Sequence, residues 1–442
     1  MATRPRRCGL TLGAARGTPT RMNGPSMPSL ADHEPAGVPL IDAEADAAPA
    51  PLAGSSRLGR LFLALCLMLI ALNLRVLFSS LSALLPEVMR STGAGPTAAS
   101  LMTTVPVLCL GLFSPLAAQL ARRFGTERVV LAALLAVAVG TGLRGLATVS
   151  ALLFGGLVAG GGIAFGNVLL PGLVKRDFPD RLALLTGLYS MSLSGGAAVA
   201  AAFTVPLAQR SGSWAVGLAV WALPALAAAL LWLPQVLPAA VARRAAAVIA
   251  PPRSLWRDGL AWQVSFFMGL QSALAYSVFG WLAPILRDRG LDAAAAGYVL
   301  SVSVVGQMVG CLVAPALATM GRDQRSVSVA LYGLVLGGIL GCFYAPLWQA
   351  WGWAALLGLG QGGLLAVALT IILLRAPDAA TAARLSGMAQ GVGYTLAAGG
   401  PLLVGLLRQL SGGFGTVPIL LTGLVVLGAL SGLGAGRDLT LD

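Results

Sequence analysis

Leu61–Leu85 reads LFLALCLMLIALNLRVLFSSLSALL, an apolar run relieved only by Asn73, Arg75 and three serines. A helix over this stretch, rising about 1.5 Å per residue, is long enough to cross the roughly 30 Å hydrocarbon core of a bilayer. Its one charge, Arg75, cannot shed its proton. A guanidinium at bilayer depth costs from roughly 3 to over 10 kcal/mol, so such a group normally faces a water-filled cavity or a partner. No Asp or Glu lies within the apolar core of any expected span. Arg75 therefore reads as a cation that awaits an anion, and the anion reads as the solute.

The rest of the composition agrees. The chain has 442 residues, 57% hydrophobic and 10% charged, against about 25% charged in soluble domains. That balance excludes a soluble globular protein, and the apolar runs suit helices rather than barrel strands. The net charge is +13, but the arginines cluster in short loops between spans, as the positive-inside rule requires, so nucleic acid is not an expected partner. Cys8, Cys66, Cys109, Cys311 and Cys342 are far apart, and the lone His33 lies in a polar stretch. That spacing offers neither a disulfide frame nor a metal site, and no cofactor is expected. The expected environment is the lipid bilayer.

Apolar segments near 20 residues recur, at approximately 60–85, 98–120, 128–147, 151–173, 183–208, 214–234, 261–285, 295–319, 326–345, 349–374, 383–407 and 416–435. The expectation is an all-α integral membrane protein of twelve spans in two pseudo-symmetric six-helix bundles. Residues 1–56 read as a disordered tail, 57–234 and 258–442 as the bundles, and 235–257 as a basic linker carrying Arg243, Arg244, Arg253 and Arg257. Loops on the side of the tail and linker hold Arg122, Arg123, Arg128, Lys175, Arg176, Arg181, Arg322, Arg325, Arg375 and Arg384; the other side holds only Arg90, Arg144, Arg210, Arg287, Arg289 and Arg408. Both termini are thus expected in the cytoplasm, with the chain in the inner membrane of a bacterium.

The halves resemble one another. Leu84-Leu85-Pro86 is expected to close a helix, and Ala98-Ala99 to open the next; Leu282-Ala283-Pro284 and Ala295-Ala296-Gly297 repeat this. Phe178-Pro179-Asp180 and Ala376-Pro377-Asp378 are a second matching pair. Parallel repeats of this kind are a carrier architecture in which the solute binds between the halves near the midplane.

The expected binding residues follow. Ser79 and Ser82 lie four and seven residues beyond Arg75 and share its face, whereas Asn73 points elsewhere. Amides recur near the middle of the fourth, seventh and tenth spans as Asn167, Gln271 and Gln361, and can donate to a small polar ligand. Tyr189 with Ser192, and Tyr394 with Gln390, share helix faces in the fifth and eleventh spans. Gln263, Phe267 and Gln271 form one face of the seventh span. Tyr276 and Trp281 read as packing or interface anchors. Glu87, after Pro86, reads as a solvated interfacial carboxylate. The candidate substrate-binding set is Arg75, Ser79, Asn167, Tyr189, Gln271, Gln361 and Tyr394. Catalysis is not expected, because the spans lack the nucleophile–base pairs or metal clusters that hydrolytic or transfer chemistry needs.

Twelve spans, a basic central linker and the loop Arg122-Arg123-Phe124-Gly125 resemble the major facilitator superfamily. Ala121-Arg122 stands where that family usually has an Asp. A narrower resemblance, to the branch named for cyanate and nitroimidazole transport, is carried by Ala71-Leu72-Asn73-Leu74-Arg75 and Thr103-Thr104-Val105-Pro106. It continues in Gly166-Asn167-Val168-Leu169-Leu170-Pro171 with Lys175-Arg176-Asp177-Phe178-Pro179-Asp180, in Gly269-Leu270-Gln271-Ser272 and in Trp281-Leu282-Ala283-Pro284. The resemblance implies a secondary active or facilitative transporter moving a small anionic or polar, cyanate-like solute by alternating access. The other reading it leaves open is an exporter of neutral or weakly polar organic compounds such as nitroaromatics or drugs.

Overall fold

The computed structural model describes residues 57–178, 181–236, 255–321, 323–377 and 379–441. The expected tail at 1–56, most of the basic linker, Pro179, Asp180, Arg322 and Asp378 lie outside the described residues. Among the described residues twelve helices are long and apolar enough to cross a membrane: α1 (Arg57–Thr92), α2 (Pro96–Ala117), α3 (Thr126–Leu146), α4 (Val149–Asp177), α5 (Gly187–Ser211), α6 (Trp214–Val236), α7 (Gly259–Asp288), α8 (Ala293–Ala318), α9 (Arg325–Tyr344), α10 (Leu347–Arg375), α11 (Arg384–Ser411) and α12 (Val417–Ala435). In lipid a backbone can satisfy its N–H and C=O groups only internally, so runs this apolar become helices. Side-chain oxygens cap several starts: Thr148 accepts from Ala151, Asp258 from Leu260 and Ala261, and Asp292 from Ala294 and Ala295.

The helices do not stop at the expected prolines. α1 runs through Pro86 and α7 through Pro284. Each proline removes one backbone hydrogen bond, and neighbouring helices make that tolerable within a membrane bundle. In α6, Pro224 leaves the Val220 carbonyl without its usual donor, Leu223 supplies one at 3.0 Å, and the helix is interrupted there.

Packing partners repeat when the helix number is raised by six. α1 packs on α5 as α7 packs on α11; α2 on α4 as α8 on α10; α3 on α4 and α6 as α9 on α10 and α12. Across the halves α2 meets α11 as α8 meets α5, and α1 meets α7. A polar detail repeats too. Arg176 at the end of α4 pairs with Glu127 at the start of α3, at 2.7 Å; Arg375 at the end of α10 bonds Gln324, just before α9. These pairs lie on the face that carries Arg57 and Leu441, called here the terminal face.

The halves meet tightly at the opposite face and part toward the terminal one. A Cβ on Gly297 of α8 would stand 2.5 Å from the Ala201 carbonyl of α5, and one on Gly405 of α11 only 2.2 Å from Ser100 Cβ of α2. α2 and α11 stay in contact as far as Gly111, where a Cβ would stand 2.3 Å from Thr395 Oγ1 and 3.0 Å from the Gly391 carbonyl; a Cβ on Gly387, a turn nearer the terminal face, would meet nothing. The same holds at Gly187 of α5.

Candidate functional site

α1 and α7 meet at the centre of the body, and between the halves lies a narrow cavity of about 20 Å3. Arg75 lines it from α1 and is partly exposed. It makes no hydrogen bond or ion pair with a described residue; its guanidinium carbon stands 5.6 Å from the centre of the Phe279 ring. Among the described residues neither Asn167 nor a main-chain carbonyl takes a hydrogen bond from Arg75. A cation over an aromatic face is attracted by the ring quadrupole, but that leaves the donors of the guanidinium for a ligand.

Opposite Arg75, three amides converge. Gln307 of α8 donates from Nε2 to Oε1 of Gln361 on α10 at 3.0 Å, and Gln361 Nε2 reaches the Leu274 carbonyl at 3.4 Å. Gln271 of α7 donates to Ser272 Oγ at 2.7 Å. All three are buried and line the cavity. The backbone places them: a Cβ on Gly362 would stand 2.0 Å from the Gln307 carbonyl, so only glycine lets α8 and α10 approach enough for the amides to meet. Aromatic rings close the remaining wall. Tyr276 lies edge-on to Tyr394 with centroids 6.1 Å apart, and 6.3 Å from Phe279.

Of the expected residues, Arg75, Gln271, Gln361 and Tyr394 come together here. Tyr189 stands close enough to Arg75 and Tyr394 to interact electrostatically with both, without lining the cavity. Asn167 follows Gly166, whose missing side chain makes room for Leu74; it is level with Arg75 but not on the cavity wall. Ser79 is fully buried with an unpartnered hydroxyl, as is Ser82. Helical side chains lean toward the N-terminus, so Arg75 reaches toward the terminal face while Ser79, a turn beyond, lies where the helices close.

Several other expectations are corrected. Tyr276 is a cavity residue, not a bland anchor. The supposed face of α7 divides: Gln263 accepts from Arg437 at 3.2 Å, Phe267 packs edge-on against Tyr332, and only Gln271 reaches the cavity. Glu87 is not free in solvent but receives two hydrogen bonds from Arg287, each 2.6 Å, because both helices run on past their prolines. Arg144, assigned to an outer loop, is buried inside the body. Gln307 and Phe279 went unnoticed. The repeat could have pointed to Gln307: it sits in α8, the neighbour of α10, one turn from Gly310, whose counterpart is Gly111.

The family model described as Major Facilitator Superfamily matches residues 61–401. A 2-nitroimidazole transporter of Escherichia coli (strain K12) is 40% identical over 386 residues, covering 86% of this chain and 96% of the relative. The cyanate transport protein CynX of the same organism is 33% identical over 351 residues, covering 79% and 91%. Among solved structures, the nucleoside transporter NupG matches with a TM-score of 0.68 at 13% identity, covering 85% of this chain and 100% of that one, which speaks to the fold alone.

Proposed function

The chain belongs to the Major Facilitator Superfamily, and from that premise we propose that it carries a small anionic or polar solute, cyanate-like in size, across the cytoplasmic membrane by alternating access. The observation that carries this reading is the unpaired guanidinium of Arg75, facing the cavity between the halves. There it would take the negative or acceptor end of the solute through charge-assisted hydrogen bonds, while Gln271 and the Gln307–Gln361 pair would take the other polar atoms.

The open space beside Gly187 and Gly387, with Glu87 and Arg287 tied at the opposite face, supports access from the terminal face. With the termini in the cytoplasm, as the arginine distribution favours, this conformer faces inward. Rocking of the halves would break the Glu87–Arg287 tie and close the terminal side. A second reading, in which the cargo is a neutral nitroaromatic, is favoured by the flat walls of Tyr276, Phe279 and Tyr394 and by the kinship to the nitroimidazole transporter. Proteoliposomes of the full chain, supplied in turn with labelled cyanate and labelled 2-nitroimidazole, separate the two. Saturable cyanate flux supports the first, nitroimidazole flux alone supports the second, and absence of both counts against this substrate range.

A further inference from the structure

Arg75 is not the only guanidinium inside the body. Arg144 is 1% exposed. Arg144 opens a turn of 3-10 helix, Arg144–Leu146, that ends α3; its own backbone stays right-handed helical at φ −62° and ψ −21°, and its side chain lies among the helices, before the chain reverses at the left-handed Ala147, φ 57°. Its Nη1 donates to the Leu77 carbonyl at 3.1 Å. Its Nε has no partner. No carboxylate among the described residues pairs with it. One neutral hydrogen bond leaves a buried charge far from satisfied.

This guanidinium borders a second, tighter cavity, of about 10 Å3 in this conformer, with Phe78, Thr103, Tyr276 and Gly280. Tyr276 lines both cavities, and the Phe78 ring lies 5.1 Å from it. Leu77 and Leu81, also on its wall, lie further along α1 than Arg75, toward the Glu87–Arg287 tie. Two arginine-bearing chambers therefore follow one another along α1 and α7, with Tyr276 between them.

We propose that Arg144 forms a second anion station, which receives the transported anion from Arg75 on its way to the opposite face. This rests on the reading of Arg75 as the anion receptor. The tyrosine wall separates the stations, and the phenol of Tyr276 is the donor both can share. The transfer needs no covalent step: the anion exchanges one guanidinium for another across a ring that turns aside.

The test is equilibrium dialysis of labelled cyanate against the full chain in nanodiscs, in chloride-free buffer. The native chain is expected to saturate at two equivalents, Arg75→Gln at one, Arg144→Gln at one and the double variant at none. Arg144→Lys, which keeps the charge, should retain the second equivalent. Thr103→Leu narrows the chamber without touching the charge and should lose it, which keeps the test decisive if Arg144→Gln does not fold. A single equivalent in the native chain that vanishes in Arg75→Gln and survives in Arg144→Gln and Thr103→Leu overturns the second station and leaves the function above intact; Arg144 is then a staple between α3 and α1. No binding by the native chain overturns both.

Discussion

Arg75 is accommodated in the membrane by a cavity and an aromatic face rather than by a carboxylate. A carboxylate would have neutralised it and taken its donors. A hydrogen bond to a charged group contributes about 1.5–3 kcal/mol, so Arg75→Gln should weaken solute binding by roughly 10- to 100-fold, measured by titration of the folded protein. Gln307→Leu removes the donor that orients Gln361. We expect it to weaken binding by about 3- to 30-fold, given the roughly 0.6–2 kcal/mol of an intramembrane amide bond. A thermal-shift series with increasing ligand would reveal this. Arg75 was legible in the sequence because a charge in an apolar run announces itself. Tyr276 was not, since an aromatic in a span has the same pattern whether it packs or lines a cavity. Arg144 was misplaced because a residue at a span's end can point either out to water or back into the bundle, and its partner, the Leu77 carbonyl of α1, is set by how the helices pack.

Among the elements, α1 and α7 matter most. Their continuation past Pro86 and Pro284 puts Glu87 and Arg287 on facing turns. If that tie holds the opposite face shut, Glu87→Gln should raise labelling of a cysteine placed at Ser100 by an impermeant thiol reagent applied from the opposite face, in a background freed of native cysteines. Swapping the charges, Glu87→Arg with Arg287→Glu, should bring labelling back down; failure of the swap would mean the residues act independently. Gly362 works differently. Any side chain there collides with the Gln307 carbonyl, so Gly362→Leu should destabilise the fold by about 1–3 kcal/mol and lower the melting temperature. Which glycines touch which helix was not legible in the sequence, because helix neighbours are set by the three-dimensional order of the bundle.

For the whole molecule, the repeat under a shift of six helices was readable from Leu84-Leu85-Pro86 and its counterpart, since both halves bury the same pattern of small and apolar residues. The conformer was not readable: one sequence must serve both states of an alternating carrier. The separation at Gly187 and Gly387 leads to a distinct expectation. Gly187→Trp or Gly387→Trp should fit this state and obstruct the closing of the terminal face. Solute binding is then retained while flux is lost, a split that dialysis and liposome uptake measure side by side.

The account turns on the free charge of Arg75. The most direct measurement compares solute flux into proteoliposomes for the native chain, Arg75→Lys and Arg75→Gln, each checked as a folded, monodisperse protein. We expect partial flux with lysine and near-complete loss with glutamine, the deficit narrowing as solute concentration rises. Native flux in Arg75→Gln would contradict the account, because the cavity would then work without the cation that defines it.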